Sequence, residues 1–372
     1  MKILFITNTL SEHRVCFFEN LAGKSHIDFM FTHPDMAVKI YGAKGNSDAF
    51  RAIDLNGNIL KRTKAIKNEI AMGGYDRIIL PPADSITQAI EGYTAMKAAQ
   101  RSGIRYYTWT EKWEAPKETQ PFKKKIKNLV QRRIYRTLTR GTQKCIAYGT
   151  KSREYLLSVG VPEEKIGISH NTTLPPEPKE QFDIRDKHGL PKDKKLVFCM
   201  ARLVERKGLD ILIDAIALLN RGHSDLILVI GGDGPLKEPL KMQAEKLGLK
   251  NVFMPGRINS DVKALYYRQA DLSVISSKIC GGVIEGWGLV VNEALFNGSP
   301  VVATDCVGAA YDMLDGNTGI MVKQGDCRAL AEGIEKMLYR EDKERITRAI
   351  ADINEKYSVD VMGDGFLECL QG

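Results

Sequence analysis

The sequence predicts an α/β protein built from two parallel-sheet domains, and three observations carry that prediction. Short apolar runs rich in Ile, Val, Leu and Phe recur along the chain. Each passes through a polar or glycine-bearing turn into a helical pattern, which is the rhythm of βαβ units. The rhythm breaks around residues 174–195, in a proline- and charge-rich stretch, and then restarts. The chain has 372 residues, too many for one comfortable hydrophobic core and about right for two.

In the first half, strands are expected at residues 3–6, 27–31, 76–80, 105–109 and 144–147, with helices between them. Leu174-Pro175-Pro176-Glu177-Pro178 and the charged run from Lys187 to Lys195 read as a linker over 176–195. After it, strands are expected at 196–200, 226–230, 252–254, 272–275 and 301–303. The domains are then 1–175 and 196–354, and a helical segment at about 355–372 crosses back to complete the first. In open α/β sheets ligands sit beyond the carboxyl ends of the strands, so a site is expected in a cleft faced by both domains.

With 43% hydrophobic and 27% charged residues, the chain is neither fibrous nor disordered in bulk. Seven cysteines are scattered singly with no zinc-type spacing, which reads as reduced thiols in a cytoplasmic protein. The apolar run at 3–6 is too short for a signal peptide, and no later run approaches a membrane span. A net charge of +8 suits nucleic acid, an anionic membrane face or a phosphorylated substrate, and its placement has to decide between them.

The chemistry concentrates after the second-half strands. Ala201-Arg202-Leu203-Val204-Glu205-Arg206-Lys207-Gly208 puts cations at a strand end and helix start, where Arg202 and Lys207 suit phosphate oxygens or form a solvated basic turn. Gly231-Gly232-Asp233-Gly234-Pro235 is either a plain turn or a loop whose glycines let backbone approach a ligand. Pro255-Gly256-Arg257-Ile258 follows the next strand. The most specific stretch is Glu285-Gly286-Trp287-Gly288-Leu289-Val290-Val291-Asn292-Glu293. There the amides of Gly288, Leu289 and Val290 open a helix, and Glu285 and Glu293 flank them. A carboxylate is a poor partner for phosphate, so the acids are expected to meet hydroxyls, or else to be solvated.

In this order the motifs resemble those of the retaining glycosyltransferases of family 4, with the GT-B fold of two Rossmann-like domains. The resemblance covers about 195–330 and is looser before residue 140. It implies a hexose transferred from a nucleotide diphosphate sugar, UDP favoured, to a glycan or lipid-linked acceptor in surface polysaccharide or glycoconjugate synthesis. It implies that Arg202 and Lys207 hold the diphosphate and offset the charge that grows as the glycosidic bond breaks. Glu285 would hold donor-sugar hydroxyls and Glu293 the ribose. The backbone at Arg257 and Ile258 would hold the base, with Gly232 and Asp233 also on the donor. The sequence has no Asp-x-Asp metal pair, so a metal-independent reaction without cofactor is expected. Retention is implied to proceed by same-face attack.

In the first half, the loop Thr7-Asn8-Thr9-Leu10-Ser11-Glu12-His13-Arg14 lacks the glycines common in relatives. His13 and Arg14 are therefore either acceptor contacts or surface residues. Glu111 stands where many relatives carry a histidine, and reads as an acceptor-side group or as a carboxylate at a helix N-terminus. Residues 117–144 are crowded with Lys and Arg, interleaved with Ile126, Leu129, Val130, Ile134 and Leu138. That pattern suits an anionic membrane surface, with peripheral attachment at the inner face, or else a core-facing helix. Nucleic acid is not expected, since only Phe122 and Tyr135 could stack on bases. The competing readings are a non-catalytic docking module of the same fold and another GT-B enzyme such as a nucleotide-sugar epimerase.

Overall fold

The computed structural model describes residues 1–36, 38, 45–174 and 177–371. Pro175 and Pro176 of the expected linker, and Gly372 of the last segment, lie outside the described residues. The chain forms two compact units. The first comprises Met1–Trp113, Pro121–Thr173 and Tyr357–Gly372, and the second Glu114–Gln120 and Leu174–Lys356.

The first unit holds β1 (Lys2–Thr7), β2 (His26–Phe31), β3 (Ala52–Asp54), β4 (Arg77–Leu80), β5 (Arg105–Thr110), β6 (Cys145–Ala147) and β7 (Ile166–Ile168). They form one parallel sheet in the order β3-β2-β1-β4-β5-β6-β7. Both faces are covered, which is why β1 reads as an unbroken apolar run rather than an alternating one. Leu4 and Ile6 join the core under the helices Ile59–Met72, Ile86–Arg101 and Phe122–Thr139. Phe5 instead belongs to an aromatic cluster with Phe18 and Phe29, at centroid distances of 5.4 and 5.5 Å.

The helix Val359–Gln371 completes that aromatic face. Phe366 stacks on Phe5 at 5.4 Å and meets Trp109 edge-on at 5.7 Å. Its rim is tied to the helix Glu12–Lys24 by Asn20 donating to Asp360 (2.6 Å) and Lys24 to Asp364 (2.8 Å). The Tyr107 hydroxyl donates to the Leu370 carbonyl at 3.0 Å.

The second unit holds β8 (Lys195–Met200), β9 (Leu226–Gly231), β10 (Val252–Gly256), β11 (Leu272–Ile275), β12 (Val301–Thr304) and β13 (Gly319–Val322), parallel in the order β10-β9-β8-β11-β12-β13. This is the doubly wound order, and its switch point lies between β8 and β11, where successive connections leave in opposite directions.

Three strands, β3, β7 and β13, were not expected from the sequence. They are three or four residues long and lie at or near sheet edges, so their apolar runs are too short to register. Within 176–195, expected as linker, the chain forms the helix Ile184–His188. Ile184 is fully buried, its N–H donates to Gln269 Oε1 (2.9 Å), and His188 Nε2 lies 2.7 Å from the Tyr266 hydroxyl. Much of this stretch is therefore packed structure of the second unit.

Because Phe366 is fully buried against the rings of Phe5, Phe17 and Trp109, Phe366→Ala should cost about 3–5 kcal/mol of stability. Denaturant unfolding checks this, and a loss under about 1 kcal/mol would show that the last helix adds little to the first unit's core.

Candidate active site

The site is built where the switch-point loops of the second unit touch. After β8, Glu205–Lys207 makes one 3₁₀ turn that ends at Gly208 with φ 60°. A Cβ on Gly208 would lie 2.1 Å from the Ser276 carbonyl oxygen, so only glycine lets this backbone rest against the end of β11. Two bonds then join the loops: Ser276 Oγ donates to the Lys207 carbonyl (2.9 Å), and the Lys278 N–H to that of Arg206 (2.8 Å).

Glu285 arrives from the loop after β11. Its N–H donates to the Cys306 carbonyl (3.1 Å) and its own carbonyl accepts from Gly308 (3.3 Å), so the end of β12 carries it. Its Oε2 accepts from Lys207 Nζ at 2.6 Å and from Arg206 Nη1 at 2.5 Å. The side chain is 17% exposed. Burial opposes ionisation of this carboxyl, but Lys207 and then Arg206 more than offset it, and the pKa lies below the ordinary value.

The structure brings Glu285 into contact with Lys207, and also with Arg206, to which the sequence motifs gave no role of its own. The reason is electrostatic, since a half-buried carboxylate is costly unless paired. Arg202, expected to act with Lys207, is exposed. Two cations against one carboxylate leave the cluster with one positive charge in excess. The neighbouring pair Lys278–Asp210 (2.7 Å) is neutral, and Glu205, on the same 3₁₀ turn as the two cations, is exposed.

Glu293 lies in the first turn of the helix Val290–Phe296, with Leu289 as N-cap. It is 7% exposed, and Lys263 Nζ donates to its Oε1 at 2.5 Å while the buried Tyr267 hydroxyl donates to its Oε2 at 3.1 Å. No motif signalled Lys263 or Tyr267. Gly288 takes φ 93°, and a Cβ there would lie 2.6 Å from Val307 Cγ1.

The glycine-rich turn packs closely on the chain's own backbone. Gly232 has φ 141°, and a Cβ on it would fall 1.8 Å from the Ala201 carbonyl oxygen. Leu203 N–H donates to the Asp233 carbonyl (2.9 Å), and Leu236 N–H to that of Leu203 (3.0 Å). The close approach is thus to the chain's own β8 loop. Asp233 is exposed and accepts from the Gly234 N–H (2.9 Å). Ile258 is buried against Gly231, and Arg257 beside it is exposed.

In the first unit, the Arg14 guanidinium lies 4.6 Å from the Trp109 ring centroid and 5.2 Å from that of Tyr148, a cation–π seat. His13 Nε2 lies 3.1 Å from Ser11 Oγ. Glu111 is exposed just past β5 and is followed by irregular chain up to the 3₁₀ turn Lys117–Thr119. It does not open a helix, so the helix-terminal role considered for it does not apply. Along the helix Phe122–Thr139, Tyr135 and Leu138 face the core, while Phe122, Ile126, Leu129 and Val130 are exposed. The interleaved apolar residues therefore divide between two faces.

Residues 180–352, which lie within the second unit, match the family Glycosyl transferases group 1. The chain is 35% identical over 166 residues to the GDP-mannose-dependent alpha-(1-6)-phosphatidylinositol monomannoside mannosyltransferase of Mycolicibacterium smegmatis, covering 44% of this chain and 43% of that protein. It is 34% identical over 177 residues to the phosphatidyl-myo-inositol mannosyltransferase of Mycobacterium leprae, covering 47% of this chain and 46% of that one. The matches thus span a little under half the length of these curated relatives. Among solved structures, Anabaena HepE in complex with UDP superposes with a TM-score of 0.74 over the whole of both chains at 18% identity. At that identity the likeness concerns the fold, two parallel-sheet α/β domains of the GT-B type.

A carboxyl with a depressed pKa stabilises the fold above its unfolded-state pKa, and that contribution is lost as pH falls through the depressed value. Glu285→Gln should therefore be less stable than the wild type at neutral pH by about 1–3 kcal/mol. The gap should shrink as pH is taken below about 4. Thermal melts of both proteins across this range check it; a gap independent of pH would rule out the ion pair as its source.

Proposed function

We propose that this protein is a glycosyltransferase that moves a hexose from a nucleoside diphosphate sugar to a hydroxyl of a glycan or lipid-linked saccharide. The observation that carries the reading is the Lys207–Glu285–Arg206 cluster at the switch point, with its one excess positive charge. As the bond from the anomeric carbon to the diphosphate oxygen breaks, the electron pair leaves with the diphosphate. Fixed cations stabilise that growing charge more than they stabilise the bound substrate. Lys207 and Arg206, joined by Arg202 from the same loop, take that role. Glu285 accepts from sugar hydroxyls, and Glu293 accepts from the ribose.

On this reading the cations do the work a metal would do, and the reaction is metal-independent. The acceptor oxygen attacks from the face the diphosphate leaves, its proton passes to a phosphate oxygen, and configuration is retained. Glu111 and the His13–Arg14 loop are the acceptor-side candidates in the first unit. UDP is the favoured nucleotide; GDP-mannose is the second reading, because the M. smegmatis relative is named as dependent on it.

Thermal-shift screening with UDP-glucose, UDP-galactose and GDP-mannose tests the donor, since a ligand bound only by the folded state raises its melting point. With the sugar nucleotide so found, Lys207→Met should lower release of nucleoside diphosphate by about 100-fold or more while the fold persists. EDTA should leave the wild-type rate unchanged. Wild-type rates in Lys207→Met, or a strict need for manganese, would refute the proposed leaving-group chemistry.

The acceptor side is proposed to be lipid-borne, with the protein attached peripherally to an anionic surface. The support is the exposed stripe Phe122, Ile126, Leu129 and Val130 on a helix that also carries Lys123, Lys124, Lys125, Lys127 and Arg133. Arg136 is not available in the same way, since its Nε donates to the Val159 carbonyl at 2.9 Å. The wild type should sediment with phosphatidylglycerol vesicles and less with phosphatidylcholine. Leu129→Glu combined with Lys125→Glu should abolish the difference; unchanged sedimentation would remove the membrane from the proposal.

A further inference from the structure

We infer that Lys263, acting with Tyr267, is a positioning residue that fixes the Glu293 carboxylate for the ribose diol and so makes the site selective for ribonucleotides over 2′-deoxyribonucleotides. The inference rests on the nucleotide-sugar reading above and concerns the same site.

The geometry is specific. The two oxygens of Glu293 are held by different donors, Lys263 on Oε1 and Tyr267 on Oε2, and both donors come from the one short helix Lys263–Arg268. Residues four apart lie on one face of a helix, so the pair grips the carboxylate like a fork. Rotation of the carboxylate would break both bonds at once. Each oxygen keeps a further lone pair, so the plane that is fixed can still accept two O–H bonds from neighbouring hydroxyls.

The placement of Lys263 also argues for this role. It is the first residue of its helix, where the backbone dipole disfavours a cation. A positive charge set against local preference needs a partner elsewhere, and Glu293 supplies it with a side chain only 9% exposed. Tyr267 is fully buried, and burial together with the nearby Glu293 charge pushes its hydroxyl well up, so it remains a donor. A 2′-deoxynucleotide would leave one lone pair of this enclosed carboxylate without a donor, a loss larger than the same loss at an open surface.

Calorimetric titration of the full chain with UDP, GDP and their 2′-deoxy counterparts tests this. The wild type should bind the better ribonucleotide about tenfold or more tightly than its 2′-deoxy form. In Lys263→Met that ratio should fall to within about twofold of unity, and Lys263→Arg should restore most of it. If Lys263→Met does not fold, Tyr267→Phe, which removes one donor and keeps the ring, should also lower the ratio. A ratio in the folded Lys263→Met or in Tyr267→Phe equal to that of the wild type overturns the positioning role. A wild type that binds these nucleotides without preferring ribose overturns it too, but leaves the nucleotide-sugar reading standing. A wild type that binds none of them overturns both.

Discussion

The candidate site depends on the contact between the backbone of Gly208 and the carbonyl of Ser276. At the switch point of a doubly wound sheet, the loops after the two central strands run apart, and side chains on them would ordinarily splay. Here the absence of a Cβ at Gly208 lets the loops after β8 and β11 close to hydrogen-bonding range. Lys207 and Arg206 are thereby carried, on one rigid turn, to the place where Glu285 comes in from the other side. The charge cluster follows from the backbone approach. Replace the glycine and the Ser276–Lys207 bond is the first to go.

The balance of charge in the cluster matters more than any single pair. One cation facing Glu285 would give a neutral ion pair of modest worth and no pull on an anion. Two cations on one carboxylate oxygen leave a net charge that is partly enclosed and already held in place. Such a charge costs little reorganisation when an anion develops beside it, which is what preorganised electrostatic stabilisation requires. Glu285 therefore fixes the position of the cations while neutralising only part of their charge.

The two sheets were legible in the sequence because their central strands are buried on both faces and read as unbroken apolar runs. The edge strands were not, since three residues such as Ala52–Asp54 carry too little pattern to separate from a turn. Lys207, Glu285 and Glu293 were legible because they sit at fixed spacings inside local motifs. Lys263 was not: it precedes Glu293 by 30 residues on a different connection, and only folding brings the two within 2.5 Å. Gly232 was legible as a residue with special backbone needs, but a sequence cannot say whether its close neighbour is a ligand or, as the structure has it, the chain's own Ala201 carbonyl.

On the helix Phe122–Thr139, exposure divides between two faces the apolar residues that periodicity alone groups together. Its core face is supplied by Tyr135 and Leu138 near its end, with Asn128 and Gln131 before them. Polar residues suffice there because the Gln131 amide donates to the Asp84 carbonyl at 2.9 Å and its oxygen accepts from Lys112 at 2.7 Å. The apolar residues of the first half of the helix are thus surplus to the core. Four large apolar side chains exposed within nine residues carry a solvation cost that the fold itself does not require. Lysines are interleaved with them on the same stretch of helix. A helix that only needed to close the domain would have placed Leu129 and Val130 inward and left the amides to solvent.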